Sequence, residues 1–203
     1  GVDRKGGNER KLLGIGDPMI GGRRDATIAC DYDVAALRSA PQTASNPVIS
    51  NTSVDSTTGF ALADVKAISA LPALPDAQCE LEALSKAFSS SGAGSQILLR
   101  EQASENAIKV LSRDGKLAGF DTLVFATHGL MRGEAGASEP ALVLTPPAKS
   151  DGHDDGLLTA GEVAALRLDA SLVVLSACNT AAGADTAAEG LSGLARAFFH
   201  AGA

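Results

Sequence analysis

Apolar positions in this chain follow two rhythms. Short unbroken apolar runs alternate with longer stretches in which apolar residues return every three or four positions. Residues 11–18, Lys-Leu-Leu-Gly-Ile-Gly-Asp-Pro, read as a short strand stopped by Gly and Pro. Residues 96–99 and 141–144 read as further strands, the second closed by Thr145-Pro146-Pro147. The two strongest runs are Leu123-Val124-Phe125-Ala126-Thr127, leading into His128-Gly129, and Leu172-Val173-Val174-Leu175-Ser176-Ala177, leading into Cys178-Asn179-Thr180. Both are apolar along their strand-forming length, the pattern of parallel strands covered on two faces.

The helical rhythm marks four segments. Residues 76–88 place Leu81, Leu84, Ala87 and Phe88 on one face, with Asp76 as a cap. Residues 104–111 do the same with Ala107, Ile108 and Leu111 after Ser104. Thr159 opens a helix through 166, and Glu162 three residues on completes a capping box. Residues 187–200 align Leu191, Leu194, Ala195 and Phe198. Residues 24–38 are ambiguous, with a strand at 26–29 or a helical turn at 34–37, and residues 39–58, rich in Ser, Thr, Asn and Pro, read as a flexible surface insertion. Strands alternating with helices predict an α/β fold with a mainly parallel sheet. In such sheets ligands bind beyond the carboxyl ends of the strands, where His128 and Cys178 fall.

Composition narrows the classes. Hydrophobic residues make up 45% of the 203, enough for a globular core, but aromatics are only 3% with no Trp, so that core must be aliphatic. The net charge of −7 lacks the basic excess of a general nucleic-acid binder. No apolar run reaches the ~18–20 residues of a membrane span. Residues 1–7 lack the apolar stretch of a signal peptide. The compartment stays open, with a slight lean to the cytoplasm.

Three cysteines, Cys30, Cys79 and Cys178, form neither a disulfide framework nor a zinc pattern. Cys30 and Cys79 could pair under oxidising conditions; the reading taken is two separate thiols. Gly14-Ile15-Gly16 looks like half a dinucleotide fingerprint, but Asp17-Pro18 stands where a helix and a third Gly are needed. Asp151, Asp154 and Asp155 around His153 lack the spacing of a calcium loop and read as a solvated acidic loop. No metal or organic cofactor is expected.

A thiol and an imidazole at neighbouring strand ends are the parts of a cysteine nucleophile with its acid/base partner. Gly129 lets a backbone N–H approach a substrate carbonyl, and the Cys178 N–H would be a second oxyanion donor. The acids Glu139, Asp155, Asp185 and Glu189 are candidate contacts for a basic substrate side chain.

Five ordered blocks carry a family resemblance: 125–129 (Phe-Ala-Thr-His-Gly), 139–144 (Glu-Pro-Ala-Leu-Val-Leu), 155–160 (Asp-Gly-Leu-Leu-Thr-Ala), 175–180 (Leu-Ser-Ala-Cys-Asn-Thr) and 189–198 (Glu-Gly-Leu-Ser-Gly-Leu-Ala-Arg-Ala-Phe). Together they resemble the CHAT domain, a caspase-like domain often attached to tetratricopeptide repeats in bacteria. The resemblance extends over 76–203, and 12–18 resembles the family's first strand, whereas 20–70 match little identifiable. The fifty residues between His128 and Cys178 are of the order found in caspases. The resemblance implies a single caspase-like domain over 1–203, a three-layer α/β/α sandwich with a mainly parallel central sheet. It implies a cysteine endopeptidase with His128 and Cys178 catalytic and Gly129 serving the oxyanion, acting on a protein or peptide substrate. It implies a repeat domain or regulatory partner on the amino-terminal side, and neither nucleic acid nor membrane. The family pattern also predicts a further strand and helices after 203, and 39–58 is a candidate autocleavage site. The alternative is a catalytically silent interaction module in a signalling or defence assembly.

Overall fold

The computed structural model describes residues 10–21, 30, 65–148, 154–176 and 184–203, with the backbone alone over 184–191. Among the described residues, seven strands and five α-helices follow one another as β1 (Lys11–Gly16), α1 (Val65–Ser69), α2 (Pro75–Ser90), β2 (Gly94–Leu99), α3 (Glu105–Arg113), β3 (Thr122–Ala126), β4 (Gly129–Leu130), β5 (Ala141–Val143), β6 (Leu157–Thr159), α4 (Ala160–Ala164), β7 (Leu172–Leu175) and α5 (Ala184–Ala201). Four strands form a parallel sheet in the order β2-β1-β3-β7, and the short strands form an antiparallel sheet, β4-β5-β6.

Alternation along β1 and β3 sends side chains to two different helical layers. Leu13, Ile15, Leu123 and Phe125 meet Ile108 of α3, Val163 of α4, and Leu194, Ala197 and Phe198 of α5. The Phe125 and Phe198 rings lie 5.4 Å apart, centre to centre, and tilted. Leu12, Val124 and Ala126 turn the other way, onto Ala77 and Leu81 of α2. Each such aliphatic or aromatic side chain, once buried, contributes about 1.5–3 kcal/mol. The expected three-layer α/β/α arrangement around a mainly parallel sheet is therefore present. A third cluster gathers Ile20, Ile68 of α1 and Leu71 over Leu130, Ala141, Val143 and Leu157 of the small sheet.

Glycine sets how closely α2 approaches. A methyl group at Gly14 would stand 2.8 Å from the Leu81 side chain, and one at Gly16 would stand 2.5 Å from the Ala126 carbonyl oxygen. Gly14-Ile15-Gly16 is thus a packing notch for a helix and a neighbouring strand.

The helix ends agree with the sequence in part. Ser104 caps α3, accepting the Ala107 N–H. The Thr159–Glu162 capping box opens α4 as expected. Asp76 is not a cap: Leu74 occupies that position, Pro75 begins α2, and Asp76 sits in the first turn. Pro at the first helical position supplies the starting φ and needs no N–H, so no side-chain cap is required there.

Two expectations are corrected. First, β7 is not covered on both faces. It lies at the edge of the parallel sheet, and Leu172 and Val174 are 52% and 38% exposed. Second, Cys30 and Cys79 are not separate thiols but a disulfide, with Cα atoms 5.3 Å apart. Wide sequence spacing gave no hint of this, because the fold brings residue 30 onto the first turns of α2. The proposed insertion at 39–58 and the ambiguity at 26–29 and 34–37 lie outside the described residues. No helix among the described residues is long and apolar enough to cross a membrane.

Candidate active site

β3 is buried along its whole length and delivers Thr127 and His128 at its carboxyl end. The buried Thr127 hydroxyl donates to the Val143 carbonyl, which turns the chain out of the parallel sheet and into β4. The Val143 N–H donates to the His128 carbonyl at 2.8 Å. His128 and Val143 thus face each other as a hydrogen-bonded pair, with Gly129 opposite Leu142 next in register. Hydrogen-bonded and non-bonded pairs alternate in an antiparallel ladder, so the Gly129 N–H points away from β5. β4 is the outer strand of the small sheet, which leaves that N–H directed off its edge.

The His128 ring is held from a separate segment. Its Nε2 lies 2.7 Å from the Pro72 carbonyl oxygen. A carbonyl can only accept, so Nε2 carries a proton and Nδ1 is left outside this bond. Pro72 lies in the link between α1 and α2, which is fastened to the β1 exit by the Gly21 N–H on the Ser69 carbonyl, 2.8 Å.

β7 runs beside β3 in the same direction, and each paired residue on β7 is fifty positions after its partner on β3. The Ser176 N–H continues the pairing to the Phe125 carbonyl at 2.8 Å, and the Ser176 hydroxyl donates to Glu80 of α2 at 3.2 Å. Cys178 lies outside the described residues.

The candidate substrate acids are dispersed. Glu139 accepts the Gly161 N–H at 3.0 Å, at the start of α4. Asp155 accepts the Leu157 N–H at 2.9 Å, closing a turn into β6. β5 and β6 are antiparallel, so these two acids sit at opposite ends of their ladder. Asp185 and Glu189 fall in the first turns of α5, and their side chains lie outside the described residues.

A buried polar cluster escaped the sequence reading. Glu105, 1% exposed, accepts the Asp155 and Gly156 N–H groups at 3.0 and 3.2 Å and is paired with Lys109. Lys109 also reaches Glu162 at 2.8 Å and Asp154 at 3.2 Å. Burial pushes the Glu105 carboxyl up to about 8 against the pull of Lys109, and the neighbouring Glu162, by hydrogen bonding and charge repulsion, pushes it the same way. Burial opposes the charge on Glu162 too, but Lys109 and the Thr159 groups outweigh it and hold that carboxyl below its ordinary value. The Glu105–Lys109 spacing of four on a helix was the one visible signal. The cluster ties the 154–157 turn to α3.

Comparison with known proteins places these features. No curated protein matches the chain. A family model described as the CHAT domain matches residues 23–203. It begins after β1, takes in β2, β3 and β7 of the parallel sheet, and also spans residues 23–70, where no motif was legible. With a match over most of its length and the caspase-like sandwich beneath it, this chain belongs to the CHAT domain family, which is related to the caspase-like cysteine peptidases.

Proposed function

We propose that this domain is a cysteine endopeptidase that cleaves a protein substrate through an acyl-thioester on Cys178. The observation that carries the reading is the β3–β7 register. Its constant offset of fifty equals the sequence separation of His128 and Cys178, and this equality, on two adjacent parallel strands, supports pairing the two residues in one site. The hydrogen bond to Pro72 supports it, because fixing the proton on Nε2 leaves Nδ1 for chemistry.

In the reaction the Cys178 thiol gives its proton to His128 Nδ1 as the sulfur attacks the scissile carbonyl carbon. The oxyanion takes hydrogen bonds from the Gly129 and Cys178 N–H groups. His128 passes that proton to the leaving amine as the C–N bond breaks, then draws a proton from the water that hydrolyses the thioester and returns it to the departing Cys178 sulfur. Glu139 and Asp155, engaged by backbone N–H groups, serve the fold, which leaves Asp185 and Glu189 as the acids for a basic substrate side chain. A repeat domain or other partner in the parent protein controls access.

The test is a reactive peptide probe applied to the full-length parent under activating conditions. Wild type should be labelled, and Cys178→Ala and His128→Ala should not. Equal inertness of all three, or labelling that survives Cys178→Ala, overturns the proposal.

A further inference from the structure

We propose that the Cys30–Cys79 disulfide is a redox-sensitive switch on the support of both reactive strand ends; its effect on catalysis rests on the cysteine-peptidase reading above. Two contacts reach those strand ends from one structural unit. The Pro72 carbonyl, three residues before α2, holds His128 at 2.7 Å. Glu80, in α2, holds Ser176 at 3.2 Å, two residues before Cys178. Cys79 is the direct neighbour of Glu80 and seven residues from Pro72. The disulfide therefore clamps the stretch from Pro72 to Glu80 at a point between its two contacts with the site.

The segment that needs clamping is weak on its own. A disulfide acts by restricting the chain that it closes, and the ring between 30 and 79 contains α1 and Pro72. α1 has only five residues, far below the length at which a helix is stable alone. Its anchors include the Gly21–Ser69 hydrogen bond and the packing of Ile68 and Leu71. The Glu80–Ser176 bond is exposed and contributes little against water. Opening the ring leaves the Pro72 carbonyl freer to leave His128.

The two sulfurs differ in access. Cys79 is buried, whereas Cys30 is half-buried. A cellular dithiol supplies the electrons. Its thiolate attacks the Cys30 sulfur, and Cys79 leaves as thiolate and takes up a proton. The second thiol of the reductant then displaces Cys30, which is protonated in turn, and the reductant departs as its own disulfide. Two electrons and two protons reach the protein, and the oxidised form is the active one.

The test uses the full chain. Alkylation with mass spectrometry counts the thiols at Cys30, Cys79 and Cys178 after graded treatment with dithiothreitol. Side-chain ¹⁵N spectra read the His128 tautomer, and peptide-probe labelling is scored per free Cys178 thiol. In the oxidised protein His128 should hold its proton on Nε2. Reduction should mix the tautomers and slow labelling about tenfold, the scale of a modest misplacement of a catalytic group. Cys30→Ser, which leaves the buried Cys79 in place, should behave as the reduced protein in either condition. Free Cys30 and Cys79 in protein kept from reductant overturns the switch. So does a His128 tautomer that is the same in oxidised, reduced and Cys30→Ser protein, or dithiothreitol changing Cys30→Ser as much as wild type. If the tautomer follows the disulfide but the probe never labels Cys178, the switch stands and the peptidase reading falls.

Discussion

β3 and β7 are neighbours that read alike in sequence and live differently in the fold. Leu-Val-Phe-Ala and Leu-Val-Val-Leu carry the same apolar density. β3 is buried at every position, but β7 alternates between exposed and half-buried. The difference is one of place: β3 has strands on both sides and helices on both faces, and β7 has a strand on one side only among the described residues. α2 covers the β1–β3 part of its face and stops short of Leu172 and Val174. An apolar run therefore records that a strand has at least one face to bury. How many faces are covered depends on neighbours that the run does not encode.

Four measurements sharpen or break this contrast. The largest effect belongs to Phe125→Ala, which empties the contact with Phe198 at the centre of the core. It should cost about 3–5 kcal/mol in denaturant unfolding, against less than about 1 kcal/mol for Val174→Ala. Equal losses would mean that β7 is as enclosed as β3.

Next comes pH. The folded Glu105 carboxyl titrates at about 8, above its ordinary 4.5. A raised folded value gives stability that is full below about 4.5 and lost as pH rises through about 8. Amides of β3, which exchange through global opening, should lose protection over that window, and β7 amides, which open locally, should change less. Glu105→Gln should flatten the β3 profile. An unchanged profile in that variant assigns the pH dependence elsewhere.

Thr159→Ala removes the capping box under one of the helices that covers β3 and should cost about 1 kcal/mol by thermal unfolding. A negligible loss would show that packing of Val163 alone holds α4. Smallest of all, Leu172→Lys should change stability by less than about 0.5 kcal/mol, since that side chain is more than half exposed. A loss above about 2 kcal/mol would mean that the outer face of β7 is covered in solution.

Much of the larger sheet was legible because its signals are local. Period and punctuation gave β1, β2, β3, β7, α3 and α5 to within a few residues, and the Thr159–Glu162 pair named its own cap. The antiparallel pairing of β4, β5 and β6 was less visible, since two- and three-residue strands have no period to read. α1 was missed for the same reason. At the candidate site, His128 and Gly129 were readable from the run that precedes them. The Pro72 carbonyl was not, because a backbone acceptor has no side-chain signature. The cysteine pairing was misread because it depends on where a forty-nine-residue separation folds back, which no local pattern carries. The assumption that two-sided burial extends to β7 failed on sheet position.

The notch at Gly14 and Gly16 gives the molecule an unusual sensitivity to small change. Leu81 fills it from α2, and the Ala126 carbonyl borders it from β3. A single methyl group at position 16 would have no clearance on either side and would wedge the helix from the strand. That helix carries Glu80 and follows Pro72, and that strand carries His128. A replacement as mild as Gly16→Ala, on a strand that bears no candidate site residue, would then register in a mutational screen as though it had struck the His128 site itself.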